Sequence, residues 1–249
     1  MQAVMEVEKN WFEDWFNSPF YHILYKDRDE AEAGKFIENL MDFLKLKKEC
    51  QIIDLACGKG RHSLKLNQLG YRVTGLDLSP ENIEEASKSA NERLNFAVHD
   101  MRKVYANKEA DLVLNLFTSF GYFANTADNL KTLNAVRKNL KYKGVLVIDF
   151  LNATKTMQHL VEEEIKVVDD ISFKITRTID QGFILKNISF THMDKPYSFT
   201  ERVQALELRD FEFLLGNAGF EIRNLFGNYQ LKPFRKQDSE RLIIVAQKR

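Results

Sequence analysis

Cysteine is scarce. Cys50 and Cys57 are the 2 that a chain of 249 residues carries, and they flank one short apolar segment, too few and too close for a disulfide framework or a zinc site. A reducing cytoplasm is the default setting, and no metal site is expected. Charge of one sign is also lacking: 36 Lys and Arg stand against 36 Asp and Glu, so no overall field draws the chain to nucleic acid. Long apolar runs are missing too. Glu6, Glu8, Glu13 and Asp14 interrupt those near the N-terminus, which argues against a signal peptide, and no stretch approaches the ~20 apolar residues of a membrane span. Internal repeats and low-complexity segments are absent. A hydrophobic content of 44% still suffices to bury one α/β core with an insertion.

Residues 52–77 organise the rest. Ile52, Ile53 and Leu55 read as a short buried strand, and Gly58 and Gly60 let the backbone turn sharply and approach a ligand closely. A helix carrying Leu64, Leu66 and Leu69 starts near Gly60, aims its unpaired N–H groups into that turn and ends at Gly70. The strand 71–76 then brings Asp77 to the edge where open α/β sheets bind ligands, and a carboxylate there can accept ribose hydroxyls. The dinucleotide fingerprint is incomplete, because Ser63 stands where its third glycine belongs. Asp54, four residues before Gly58, would repel a pyrophosphate but suits a ligand that ends in an ammonium group.

Asp54-Leu55-Ala56-Cys57-Gly58-Lys59-Gly60 resembles the first motif of class I S-adenosylmethionine-dependent methyltransferases, and Asp77-Leu78-Ser79 resembles the second. Asp100-Met101-Arg102 and Gly144-Val145-Leu146-Val147-Ile148-Asp149 extend the resemblance over residues 50–151. It implies a Rossmann-like α/β fold, with a mostly parallel seven-stranded sheet, an antiparallel terminal hairpin and a small inserted antiparallel β lid. It also implies S-adenosyl-L-methionine as cofactor, held by residues among Tyr25, Asp54, Ala56, Gly58, Gly60, His62, Asp77, Leu78, Asp100, Met101, Asn115 and Leu116. In that scheme Asp100 and the Met101 N–H take the adenine, Asn115 and Leu116 line the methionine end, and the Tyr25 ring faces the sulfonium cation. Arg28 is a candidate for the cofactor carboxylate, with a surface pair to Asp27 or Glu32 as the plainer reading. No catalytic base is identified, since His62, His99, His159, His192 and Tyr229 are all conceivable.

The rest of the chain fits this scheme. Trp11, Phe12, Trp15 and Phe16 recur at helical spacing, residues 17–19 break that helix, and another is expected over 30–47. Ser79 and Pro80 open a crossover helix. Strands are expected at 95–98, 111–117 and, after a helix at 127–140 and a turn at 141–144, at 145–150. From 164 to 206 apolar and polar residues alternate, which predicts three or four antiparallel strands inserted before a helix at 208–216 and strands at 221–226 and 242–247. The domains expected are a helical cap at 1–49, a core of 50–163 and 207–249, and the inserted lid at 164–206. That lid reads as a substrate cover, a homodimer surface or simply an extra stabilising sheet.

The expected activity is methyl transfer to N or O of a small molecule, by resemblance to the N,N-dimethyltransferases of nucleotide-linked amino sugars. An Asn-Pro-Pro-Tyr motif is absent, which lowers nucleobase and glutamine methylation. An RNA or protein methyltransferase would need a basic groove. Lys45, Lys47 and Lys48, or Lys232, Arg235 and Lys236, are the nearest candidates, and both groups read as solvated faces. A catalytically silent cofactor-binding module and a dehydrogenase are further alternatives. Neither nucleic acid nor a membrane is an expected partner.

Overall fold

The computed structural model describes residues 11–26 and 30–249, and the side chains of all of these except 11–13, 30 and 31. In chain order the elements are α1 (Trp11–Phe16), α2 (Pro19–Leu24), α3 (Glu30–Leu44), β1 (Gln51–Leu55), α4 (Arg61–Gln68), β2 (Arg72–Asp77), α5 (Pro80–Ser87), β3 (Leu94–Val98), β4 (Ala110–Asn115) and α6 (Thr126–Asn139). There follow β5 (Leu140–Leu151), α7 (Ala153–Gln158), β6 (Glu163–Val168), β7 (Ile171–Asp180), β8 (Phe183–His192), β9 (Lys195–Gln204), α8 (Leu208–Asn217), β10 (Phe220–Phe226) and β11 (Arg241–Lys248). They form two units, Met1–Arg28 with Met157–Ala205 and Asp29–Thr156 with Leu206–Arg249. The cap expected at 1–49 is therefore shared out: α1 and α2 go with the small sheet, α3 with the large one.

The larger unit is built on a seven-stranded sheet in the order β10-β11-β5-β4-β1-β2-β3. β1 to β5 run parallel, and β11 lies antiparallel between β5 and β10. Ile52, Ile53 and Leu55 of β1 and Leu112, Val113 and Leu114 of β4 are all buried, as central strands covered by helices on both faces must be. Ser79 caps α5 by accepting the Asn82 N–H at 3.1 Å, and Pro80 follows as its first residue.

Two boundaries differ from expectation, each for a backbone reason. α3 stops at Leu44 instead of running to residue 47, because Lys45 takes a left-handed φ of 49°. β5 absorbs the turn expected at 141–144: Leu140 already pairs with Ala110, and the left-handed Lys143 and a register shift after Ala110 are accommodated within the strand.

Gly60, at φ +82°, fixes the start of α4. A Cβ there would lie 2.6 Å from the Phe96 ring and 3.2 Å from the Ala86 methyl. Gly60→Ala is expected to lower the unfolding free energy by about 1–3 kcal/mol through strain and overpacking. Urea denaturation checks this, and an unchanged midpoint would show that the ring moves aside freely.

The smaller unit carries a four-stranded antiparallel sheet in the order β6-β7-β8-β9. Its hairpins turn on the residue pairs Asp169-Asp170, Gln181-Gly182 and Met193-Asp194, all with positive φ, as two-residue hairpin loops demand. Pro196 lies in β9, an edge strand where a missing N–H costs little. Trp15 of α1 is fully buried against Phe199, 4.5 Å between ring centroids, and its Nε1–H donates to Glu201 at 2.8 Å.

Candidate active site

The loop after β1 takes three left-handed residues in five, with Ala56 at φ 62°, Gly58 at 55° and Gly60 at 82°. Its shape is held from the next strand. Asp77, the last residue of β2, accepts the Gly58 N–H on one oxygen at 2.8 Å and the Ser79 N–H on the other at 2.9 Å, so the two motifs are one hydrogen-bonded unit. Burial pushes the Asp77 carboxyl up in spite of these donors. A Cβ on Gly58 would meet nothing within 4 Å, so the loop's backbone faces open space. Leu78 beside it and Val98, paired with Asp77 across the sheet, are exposed apolar groups at the same edge.

Asp54 lies deeper, 1% exposed, and accepts the Ser63 hydroxyl at 2.6 Å. Ser63, fully buried on α4, thus stands at the third-glycine position for a reason: it feeds a proton donor to the strand carboxylate. Burial raises the Asp54 carboxyl to about 6; the Ser63 hydrogen bond opposes that rise and the Asp77 charge reinforces it.

At the end of β4, Asn115 donates its amide to the Leu55 carbonyl at 3.1 Å, while its buried Oδ1 meets no donor among the described residues. Leu116 is buried beside it, and Phe117 and Thr118 then both adopt left-handed φ, 57° and 62°. Such strain persists only where surroundings enforce it. Here Asp149 on β5 enforces it, accepting the Phe117 N–H on its carboxylate and the Thr118 N–H on its carbonyl, both at 2.9 Å. Phe117 is thereby set between His62, 5.0 Å away between ring centroids, and Tyr229, stacked at 5.4 Å, with the Arg61 guanidinium 4.3 Å from its centroid. His62 is buried and its Nε2 has no partner among the described residues; burial, helped by the Arg61 charge, depresses the imidazole to about 3, so it is neutral at physiological pH and a poor general base.

Asp100, in the turn after β3, accepts the Arg102 N–H at 2.9 Å and the Arg102 guanidinium at 2.8 to 3.1 Å. Burial pushes its carboxyl up, and the Arg102 bonds outweigh that and hold it below the usual range. Met101 is half-buried at the same turn.

Asp54, Ala56, Gly58, Gly60, His62, Asp77, Leu78, Asn115 and Leu116 are therefore gathered at the ends of β1, β2 and β4 and the start of α4, and Asp100 and Met101 stand after the neighbouring β3. Tyr25 belongs to the smaller unit. There its hydroxyl donates to Glu201 at 2.5 Å, accepts from Lys186, and its ring carries the Lys186 ammonium 4.6 Å from the centroid. Arg28 lies outside the described residues. His99 is tied to the Lys103 carbonyl at 3.0 Å, and His159 is exposed.

Residue-by-residue reading missed Ser63, Phe117 and Arg241 as parts of this edge. Ser63 left a signal in the broken glycine pattern. Arg241 left none, because it reaches Asp149 only through the pairing of β11 with β5.

A cationic nucleoside fits these groups. Asp54 could accept from an ammonium and Asp77 from ribose hydroxyls, and Leu78 and Val98 offer apolar surface to a base.

Residues 46–195 match the family model described as Methyltransferase domain. The putative methyltransferase YqeM of Bacillus subtilis is 26% identical over 82% of this chain and 86% of its own length. The glycine/sarcosine/dimethylglycine N-methyltransferase of Actinopolyspora halophila is 26% identical over 90% of this chain, which spans only 40% of that enzyme. Among solved structures, an S-adenosylmethionine-dependent methyltransferase from Clostridium acetobutylicum superposes with a TM-score of 0.78 at 23% identity, covering 92% of this chain and 96% of that one. Its mixed sheet with an antiparallel final strand, its glycine turn clamped by an acid on the next strand and its matched domain place the chain in the family of class I S-adenosylmethionine-dependent methyltransferases.

Proposed function

We propose that the protein transfers a methyl group from S-adenosylmethionine to N or O of a small-molecule acceptor. The cofactor supplies a methyl group on a sulfonium, ready for in-line displacement, so the chain's task is mainly alignment. Asp77 receives the ribose, Asp54 the ammonium, and Leu78, Asp100 and Met101 the adenine, while Asn115 and Leu116 line the methionine end. Phe117, held in its left-handed turn, closes the methionine end. The Asp77–Gly58 hydrogen bond carries this reading, since it makes the glycine turn and the ribose acid a single preformed element, where the free loop would otherwise have to be ordered on binding.

A small amine is the favoured acceptor, supported by the A. halophila relative, whose name specifies glycine and its methylated derivatives as substrates. Amino-sugar amines belong to the same chemical class. No helix among the described residues is long and apolar enough to cross a membrane. Release of S-adenosylhomocysteine on mixing the protein with cofactor and fractionated small-molecule extract is the expected result. Release only with the macromolecular fraction would favour an RNA or protein acceptor, and cofactor binding without any release would overturn the reading. The homodimer expected of the inserted sheet is tested by sedimentation, a monomer at micromolar concentration removing it.

Asp54 gives this reading a pH signature. A carboxyl that titrates near 6 must lose its proton before it can neutralise an ammonium, so cofactor binding should release a proton and tighten as pH rises. For a single group, affinity is expected to increase about tenfold between pH 5 and pH 7. Isothermal titration across that range is the measurement. The slope should flatten in Asp54→Asn, and an equal slope in that variant would assign it to another group.

A further inference from the structure

Arg241 is the first residue of β11 and pairs with Leu151, the last of β5, so it lies at the ligand edge of the sheet although its strand runs the other way. Its guanidinium is mostly buried, with 19% of the side chain exposed. Nε–H donates to Asp149 Oδ1 at 2.7 Å and Nη2 to the Thr118 hydroxyl at 3.0 Å. The Tyr229 ring lies 5.8 Å from the guanidinium carbon, and the Tyr229 hydroxyl donates to the other oxygen of Asp149 at 3.3 Å. These contacts use the inner side of the fork. Nη1 donates to nothing among the described residues, and Nη2 has one N–H left over.

Holding the Phe117–Thr118 turn explains Nε and Nη2 but gives no task to the outer edge. A lysine would supply the charge without a fixed plane; only a guanidinium presents two parallel donors to a carboxylate while bonded on its other side. Asp149, Thr118 and Tyr229 fix that plane in advance, which lowers the ordering cost of binding. The sheet order tells which ligand meets it. β11 and β5 lie on the opposite side of β4 and β1 from β2 and β3, the strands that carry Asp77 and precede Asp100. Arg241 therefore stands beyond the methionine end, on the side left for the acceptor.

We infer that the outer edge of Arg241, Nη1 with the second N–H of Nη2, receives a carboxylate of the methyl acceptor, so that the substrate is an amino or hydroxy acid. The inference rests on the methyltransferase reading above and narrows it.

The test uses the full chain, S-adenosylmethionine as methyl donor for turnover, S-adenosylhomocysteine as the probe of cofactor affinity, and a panel of amino and hydroxy acids, each paired with its primary amide. At least one acid should give S-adenosylhomocysteine release with kcat/KM at least tenfold above its amide. Arg241→Lys should abolish that preference, mainly by raising KM ten- to a hundredfold, with S-adenosylhomocysteine affinity within threefold of the parent. If Arg241→Lys folds poorly, Arg241→Gln, which leaves Asp149 holding the Phe117 N–H, should show the same loss of preference. Amides equal to acids would overturn the inference, as would cofactor binding with no member of the panel turned over. A drop in S-adenosylhomocysteine affinity as large as the rise in KM would assign the edge to the cofactor's own carboxylate, and would also overturn it. Absence of any cofactor binding would instead strike the underlying methyltransferase reading.

Discussion

Asp77→Ala is expected to weaken S-adenosylmethionine binding about 100-fold. Each hydrogen bond from a ligand hydroxyl to a carboxylate contributes roughly 1.5–3 kcal/mol, and 100-fold corresponds to about 2.7 kcal/mol. The same substitution also frees the Gly58 and Ser79 N–H groups, so the turn must be ordered by the ligand alone. Asp77→Asn keeps one acceptor oxygen for Gly58 and should fall between the two. Isothermal titration separates the three proteins, with unfolding midpoints as the control for folding. Affinity within threefold of the parent in Asp77→Ala would show that neither the ribose nor the turn depends on this carboxylate.

The second large effect is on stability. Asp149 has no exposed surface and accepts from Arg241, the Phe117 N–H and the Tyr229 hydroxyl. Asp149→Ala leaves the Arg241 charge without its partner in a mostly buried position, and breaking a buried pair from one side costs about 3–5 kcal/mol. Urea unfolding should show a loss of that size. The paired change Asp149→Leu, Arg241→Met should recover much of it, because the uncompensated charge is gone. A loss below about 1 kcal/mol in the single variant would mean that water reaches the guanidinium and replaces the carboxylate.

The two predictions differ in how far their residues could be read in advance. Asp77 announces itself, because a short strand ending on an acid, after a glycine turn and a helix, is a local pattern. The same holds for the inserted sheet, whose alternation of Ile171, Phe173 and Ile175 with polar neighbours marks strands directly. Asp149 and Arg241 are separated by 92 positions in the chain. Their meeting depends on the antiparallel register of β11 with β5, which no local pattern encodes. Boundaries failed for a related reason: Lys45 and Lys143 adopt left-handed backbone that their side-chain type does not favour. Tyr25 illustrates the reverse case. An aromatic residue ahead of the first strand suggested a partner for a cation, and the structure supplies one in Lys186 within the same unit.

The position of β11 also bears on how the molecule is made. β10 reaches the large sheet only through β11, which must slot between it and β5, so the sheet cannot close until residue 248 has left the ribosome. During synthesis the flank of β5 stays open along seven paired positions, from Val145 to Leu151, a template for wrong pairing. Delayed closure through contacts so remote in the chain slows folding.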